Sequence, residues 1–291
     1  MAPDAQRRRL SWTIVGRQEL DADWESPSRT VLLERRHASG RLMLTIEQTE
    51  RGYLVAAPGY GRHLIDPDGR AARSYLPAVP PWRWQRLLFA QVLPLAASLQ
   101  GFHVAHSSAV ELEGRAVGFV APSGTGKTSV CAHLVGGGAS FITDDALAID
   151  TSIGATAIAH PGAGVISVHR SELRAMTKAA RARLGSVVAT PVDKILVEAR
   201  PVSRSVPLER IYFLRRGATG RWRVTESAPP DPALLLGSSF IWYLRHPTYA
   251  LARLEAADHL ARSARIFLVD IPPSVPAVEA AARIAHHAGS G

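Results

Sequence analysis

Residues 115–130 read RAVGFVAPSGTGKTSV. Arg115 to Val120 has the length and the apolar content of a short buried strand, with Val117, Phe119 and Val120 as its core residues. Ala121-Pro122-Ser123-Gly124-Thr125-Gly126 is a glycine-rich turn, and Lys127 to Val135 reads as a helix closed by Gly136-Gly137-Gly138. Strand, turn and helix in this order match the spacing of a phosphate-binding P-loop, with Ala121 at the place of the first glycine. The chemistry explains the residue types. Glycines let the backbone curl so that successive N–H groups of residues 123–129 point at phosphate oxygens. The helix N-terminus adds partial positive charge. On this reading Ser123, Gly124, Thr125, Gly126, Lys127, Thr128 and Ser129 hold the phosphates. Lys127 reaches the β- and γ-phosphates, and the Thr128 hydroxyl ligates Mg²⁺.

Working outward, Phe141-Ile142-Thr143 is the next strand, and it ends in Asp144-Asp145, with Asp144 17 residues after Lys127. In open α/β sheets ligands sit at the carboxyl ends of strands. Two carboxylates there suit Mg²⁺ binding together with general-base work, the two needs of phosphoryl transfer to a hydroxyl. Residues 12–75 read as β-rich, with alternation over Arg41–Ile46, a return strand at Tyr53–Val55, and turn signals at Pro58-Gly59 and Asp66-Pro67-Asp68-Gly69. Pro77, Pro80 and Pro81 break the pattern, and a helical stretch follows in which Trp84, Leu87, Leu88 and Val92 share one face. The expected division is a small β-rich N-terminal region, 1–81, and a P-loop domain, 82–291, opened by that helix with its tryptophans in the core. The segment 153–191 is rich in Gly, Ala and Ser, with a basic stretch from Arg170 to Arg183, and reads as a lid, an acceptor-binding loop or an insertion that merely packs. Later strands are expected at Ile195–Val197, Ile211–Leu214 and Arg265–Val269, with Trp222–Val224 pairing the second of these. Helices are expected around Leu234–Leu236, Ile241–Tyr243, Ala250–Ala261 and Ala277–His287, with His286-His287 as a solvated tail.

His106, the two motifs and their spacing resemble the HPr kinase/phosphorylase family. The stretch is HSSAVELEGRAVGFVAPSGTGKTSVCAHLVGGGASFITDD, residues 106–145. A weaker likeness takes in RLLFAQVLPLAASLQG before it and DKILVEARPVSRSVPLERIYFLRR after it, the latter similar to the HPr-kinase-like proteins that tailor lasso peptides. The resemblance implies an α/β fold, a P-loop kinase domain of the phosphoenolpyruvate carboxykinase-like type, with a mixed sheet and flanking helices. It implies ATP-dependent phosphorylation of a serine hydroxyl with Mg²⁺. By the same carry-over Asp144 is the general base, Asp145 a metal ligand, and His106 lies near the transferred phosphate. The family's Glu-x-Arg-Gly stretch has no counterpart in HPGAGVISVHRSELRAM, residues 160–176. Arg170, Arg174 and Lys194 are the candidates for further phosphate contacts. Related HPr kinases are hexamers, so the resemblance also raises a homo-oligomer.

Composition bounds the alternatives. The 291 residues carry 34 Lys+Arg, 25 Asp+Glu and a net charge of +9. The basic residues are dispersed and no nucleic-acid module is present, so nucleic acid is not the expected partner. One cysteine, Cys131, excludes an internal disulfide and every Cys-based metal framework. No apolar run follows the basic cluster Arg7-Arg8-Arg9, so no secretion signal is read. The uncharged stretch 87–110 is too polar to span a membrane. The expectation is a cytoplasmic enzyme that moves the γ-phosphate of ATP to a serine of a peptide or protein, a lasso-type precursor being one such acceptor. A kinase of free serine or another small molecule, and a catalytically silent nucleotide-binding regulator, are the alternatives.

Overall fold

The computed structural model describes residues 10–24, 28–152, 154–191, 194–217 and 220–290; the cluster Arg7–Arg9 lies outside them. The chain divides into two compact units, one holding the described residues up to Phe102 with Ile241–His246, the other His103–Phe240 with the described residues from Pro247 on.

The first unit contains β1 (Ser11–Ile14), α1 (Arg17–Trp24), β2 (Thr30–Arg36), β3 (Leu42–Thr49), β4 (Gly52–Ala57), β5 (Gly61–Ile65) and β6 (Ala71–Tyr75). They form one sheet in the order β1-β6-β5-β4-β3-β2. All neighbours are antiparallel except β1 and β6. The sequence alternation becomes the β3–β4 hairpin, with Thr49 opposite Gly52. Leu20 of α1 closes on Leu54 and Leu64. After β6 come α2 (Pro81–Leu87), a π-turn over Leu88–Val92, and α3 (Leu93–Leu99). Pro94 accounts for the π-turn: it has no N–H to offer the preceding turn, and its ring crowds the carbonyl four residues back.

This helical run belongs with the N-terminal sheet and not, as the sequence reading had it, with the domain that follows. The reason is local packing. Gly69, at φ 71°, sits so close to α3 that a Cβ there would lie 2.4 Å from the Ala96 carbonyl oxygen. Gln100 Nε2 also donates to the Gly69 carbonyl at 2.6 Å. The tryptophans are half-buried rather than core: Trp84 meets Trp12 with ring centres 6.0 Å apart, and Arg83 lies over Trp82.

The second unit contains β7 (His103–Ala105), β8 (Ser107–Leu112), β9 (Arg115–Val120), α4 (Lys127–Gly137), β10 (Ser140–Thr143), β11 (Leu147–Asp150) and β12 (Ile158–Ala159). Then follow β13 (Val165–His169), α5 (Arg170–Ala175), α6 (Lys178–Leu184), β14 (Ser186–Ala189) and β15 (Lys194–Glu198). The last are β16 (Val206–Arg216), β17 (Arg223–Glu226), α7 (Pro232–Gly237), α8 (Pro247–Ser263), β18 (Arg265–Ile271) and α9 (Ala277–Gly289). The main sheet runs β10-β8-β9-β16-β12-β11-β7, with β18 also beside β16 and β17 beside β18. β9, β16 and β18 are parallel and the other pairs antiparallel, so this is a mixed α/β unit.

The parallel strands are apolar on both faces because helices cover both. Phe119, Tyr212, Leu214 and Phe267 pack with Val130 and Leu134 of α4 and Ile284 of α9. Ile211, Phe213 and Ile266 pack with Leu235 of α7 and Leu260 of α8. The segment 153–191 contains β12, β13, α5, α6 and β14, and its strands β13 and β14 flank β15 in a second, three-stranded sheet. Its Ile166, Val168, Ile195 and Val197 join the core around α4.

Three further expectations are corrected. Trp222–Val224 does not pair with β16; β17 pairs with β18, the strand that reaches β16 from much later in the chain. Residues 241–243 are not helical. His287 is not a free tail: its Nδ1 lies 2.8 Å from the Tyr212 hydroxyl, and its ring meets Phe267 edge-on.

Each unit carries a buried histidine. His63 is fully buried, with Nδ1 2.7 Å from Ser74 Oγ. Ser74 Oγ also accepts from Trp12 Nε1 at 2.7 Å, so one hydroxyl joins the two side chains. His103 is 5% exposed. Burial pushes both imidazoles down to about 4, helped at His103 by the Arg253 charge. An unfolded histidine protonates near pH 6.5 and these do not, so below that the unfolded state binds more protons. Stability is therefore complete above pH 6.5 and is lost as pH falls towards 4, by on the order of 3 kcal/mol per histidine. Denaturant midpoints measured between pH 7.5 and 4.5 are expected to fall steadily over that window.

Candidate active site

The loop 121–126 joins β9 to α4, with Gly124 at φ 83° and Gly126 at φ 104° as the residue preceding the helix. That left-handed pair curls the chain back over the helix start, which L side chains rarely permit. Ser123 and Gly124 are exposed, while Thr125 and Gly126 are half-buried. Ser129 is 7% exposed and lies on the buried side of α4.

Lys127 is 6% exposed, and its Nζ lies 3.5 Å from the His106 carbonyl oxygen. Burial lowers its pKa, against the pull of the Asp145 and Asp144 charges. Thr128, one residue on, donates from Oγ1 to Asp144 Oδ1 at 3.0 Å. The helix start and the end of β10 are thereby joined. Asp144 Oδ1 also accepts from Ser108 Oγ at 2.6 Å, and Oδ2 accepts from the Ser167 N–H at 3.2 Å. Burial and the neighbouring Asp145 charge push the Asp144 carboxyl up to about 6, against those three hydrogen bonds. Asp145 stands at φ 70°, a left-handed conformation rare outside glycine, which turns the chain directly after Asp144. The Ala146 N–H closes that turn on the Asp144 carbonyl at 3.0 Å.

His106 lies between β7 and β8. Its N–H donates to the Ser238 carbonyl at 2.7 Å, and its ring stacks on Phe240 with centres 5.4 Å apart. The structure thus brings the His106 main chain to Lys127 and sets the imidazole against an aromatic ring. Lys194 opens β15 opposite His169, and its charge acts on Lys127. Arg170 and Arg174 are exposed on α5.

Three contributors escaped the sequence reading. Ser108 looked like an ordinary strand residue. Ser167 lay in the segment read as a lid or insertion. Arg216 ends β16, and only its position at the carboxyl end of an apolar run could have flagged it. Its Nε donates to the Thr125 carbonyl at 3.3 Å, and its Nη1 to the Val275 carbonyl at 2.8 Å. A Cβ on Gly126 would stand 3.9 Å from its Nη2. Arg216 therefore fixes the glycine-rich loop to the end of the central sheet. On the phosphate-binding reading of this loop, Arg216→Met is expected to weaken nucleotide binding about tenfold, or 1.4 kcal/mol, in a calorimetric titration.

The donor set suits Mg²⁺, a hard cation: the Thr128 hydroxyl and the carboxylates of Asp144 and Asp145 are all oxygen donors. Among the described residues no cluster of three His, Cys, Asp or Glu side chains is placed to hold a metal alone. Phosphate oxygens would complete such a shell. Among the described residues, no helix is long and apolar enough to cross a membrane.

No protein-family model matches this chain, and no curated protein does. Among solved structures, the Hpr(Ser) kinase/phosphatase from Coxiella burnetii is similar to it at 9% identity and a TM-score of 0.34, over 65% of this chain and 99% of that one. A likeness of that size carries no argument, and the functional reading rests on the site's own residues.

Proposed function

We propose that the chain is an ATP-dependent kinase that phosphorylates a serine hydroxyl on a peptide or protein, with Mg²⁺, in the cytoplasm. The observation that carries the reading is the convergence on Asp144. Thr128 at the head of α4 bonds its carboxylate at 3.0 Å, and Lys127 beside it is buried against the opposite charge of both aspartates. A mere glycine turn has no use for a buried lysine facing two carboxylates.

In this reading the main-chain N–H groups of the loop 121–126 and the Lys127 ammonium bind the β- and γ-phosphates of ATP. Thr128 and Asp145 would hold Mg²⁺, which neutralises phosphate charge when bound. Asp144 accepts the hydrogen of the acceptor hydroxyl. The serine oxygen bonds to the γ-phosphorus, the bond from that phosphorus to the bridging oxygen breaks, and ADP leaves. A carboxyl near 6 is ionised at neutral pH and still basic enough for this transfer. His106 and Lys194 supply surroundings for the transferred group. The single cysteine, Cys131, is buried and unpaired, which fits a reducing compartment.

The test is ADP release from Mg-ATP in the presence of serine peptides. Stimulation by a serine peptide, and none by the same peptide with alanine in its place, is expected. Tight ATP binding without transfer to peptides or to free serine contradicts the proposal.

A further inference from the structure

We propose that a cleft beside the end of α9 binds a free α-amino acid with an apolar side chain, its carboxylate held by Arg210 and Arg115 and its ammonium by Glu113 and the last carbonyls of α9. The cleft has a volume of about 430 Å³, within the range of small-molecule sites. Leu112, Val117 and Ala288 give it apolar walls, and Glu113, Arg115, Glu209 and Arg210 give it charges of both signs. It is separate from the glycine-rich loop. Arg115 opens β9, and Val120, at the far end of the same strand, leads into that loop. At about 3.3 Å per residue those ends stand roughly 17 Å apart.

Arg210 carries the argument. It lies opposite Val117 in the parallel β9–β16 pair, on the face that β16 continues with Tyr212 and Leu214 in the core. It is 2% exposed. An apolar residue of similar volume would fill that place without the cost of burying a charge. The compensation of that charge is incomplete. Nη1 donates to the His287 carbonyl at 3.0 Å. Nη2 is 3.7 Å from Glu209 Oε1, beyond a hydrogen bond, and among the described residues Nε has no acceptor. A guanidinium left in this way at the wall of a cleft calls for a carboxylate, the anion that matches its planar fork. Strand alternation puts Arg115, two residues before Val117, on the same face. Arg115 is exposed and among the described residues forms no ion pair, so a second cation borders the first.

The same cleft carries the opposite charge. Glu113, in the turn between β8 and β9, also forms no ion pair among the described residues. A Cβ on Gly289, the last residue of α9, would stand 3.9 Å from Glu113 Oε1, so this carboxylate lies at the helix end. The last carbonyls of a helix favour a cation there. Two arginines, a carboxylate at a helix end and apolar walls are the complement of a zwitterion with a hydrocarbon side chain. A phosphate or a dicarboxylate would meet Glu113 and Glu209 as like charges. An amine without a carboxylate would leave Arg210 unmatched.

The experiment is a calorimetric titration of the full chain with leucine, phenylalanine, N-acetyl-leucine, leucine amide and inorganic phosphate. The two free amino acids are expected to bind. N-acetyl-leucine, which lacks the ammonium, and leucine amide, which lacks the carboxylate, are expected to bind about tenfold more weakly or worse. Arg210→Met is expected to lose leucine binding while its thermal midpoint holds or rises. Ala288→Phe keeps every charge but fills the cleft, and it too is expected to lose binding. Arg115→Gln, at an exposed position, is expected to weaken leucine about tenfold. Circular dichroism of each variant shows that it is folded. No binding of either amino acid at about 10 mM overturns the proposal. So does equal affinity for N-acetyl-leucine or leucine amide, tighter binding of phosphate, or an unchanged leucine affinity in folded Ala288→Phe and Arg115→Gln.

Discussion

Lys127→Met is expected to lower phosphate transfer by about 10²–10³-fold or more, the effect of removing one preorganised donor from developing negative charge. Lys127 is 6% exposed and burial already lowers its pKa. Its charge is therefore held at a desolvation cost that only a bound anion offsets in full. The variant is accordingly expected to keep or raise its thermal midpoint while losing turnover. A residue of purely structural importance would show the reverse, a lower midpoint with activity falling in step. Calorimetry and steady-state kinetics on one preparation separate the two.

Asp144→Asn is expected to lower kcat by about 10²–10⁴-fold, the usual worth of a positioned general base, with nucleotide affinity retained. Asparagine keeps the shape and one oxygen that can accept from Ser108 and Thr128, and gives up only the bond from the Ser167 N–H, which its amide NH2 cannot accept. What is lost is the capacity to take a proton. The pH profile tests the same point. Asp144 is pushed up to about 6, and as the proposed base it would act only when ionised, so kcat/KM should rise with pH through a limb near 6 and level off above it. In Asp144→Asn the remaining activity should lack that limb.

The site's centre was legible because it is local in sequence. Strand, glycine turn, Lys127-Thr128 and helix lie within one short stretch, and Asp144-Asp145 end the next strand. Each step is a pattern of period, turn chemistry or position. The Arg216 tether was not legible, because β16 lies beside β9 only through a register set by tertiary packing, far apart in sequence. Ser108 was hidden by its ordinary surroundings: its hydroxyl reaches Asp144 only because β8 doubles back onto β9 and pairs with β10. The grouping of the 81–99 run with the N-terminal sheet was also out of reach. Its apolar face fits either neighbour, and the close approach of Gly69 to Ala96 decides it. The three-stranded sheet was missed for a different reason. Val165–His169 and Ser186–Ala189 are short, flanked by Gly, Ala and Ser, and gain their strand form from β15 between them.

The most direct measurement of the central claim is the intact mass of a serine peptide incubated with Mg-ATP and the protein. A gain of one phosphate group on the serine is expected with wild type, and none over the same interval with Asp144→Asn or Lys127→Met. Phosphorylation at the wild-type rate by Asp144→Asn would contradict it.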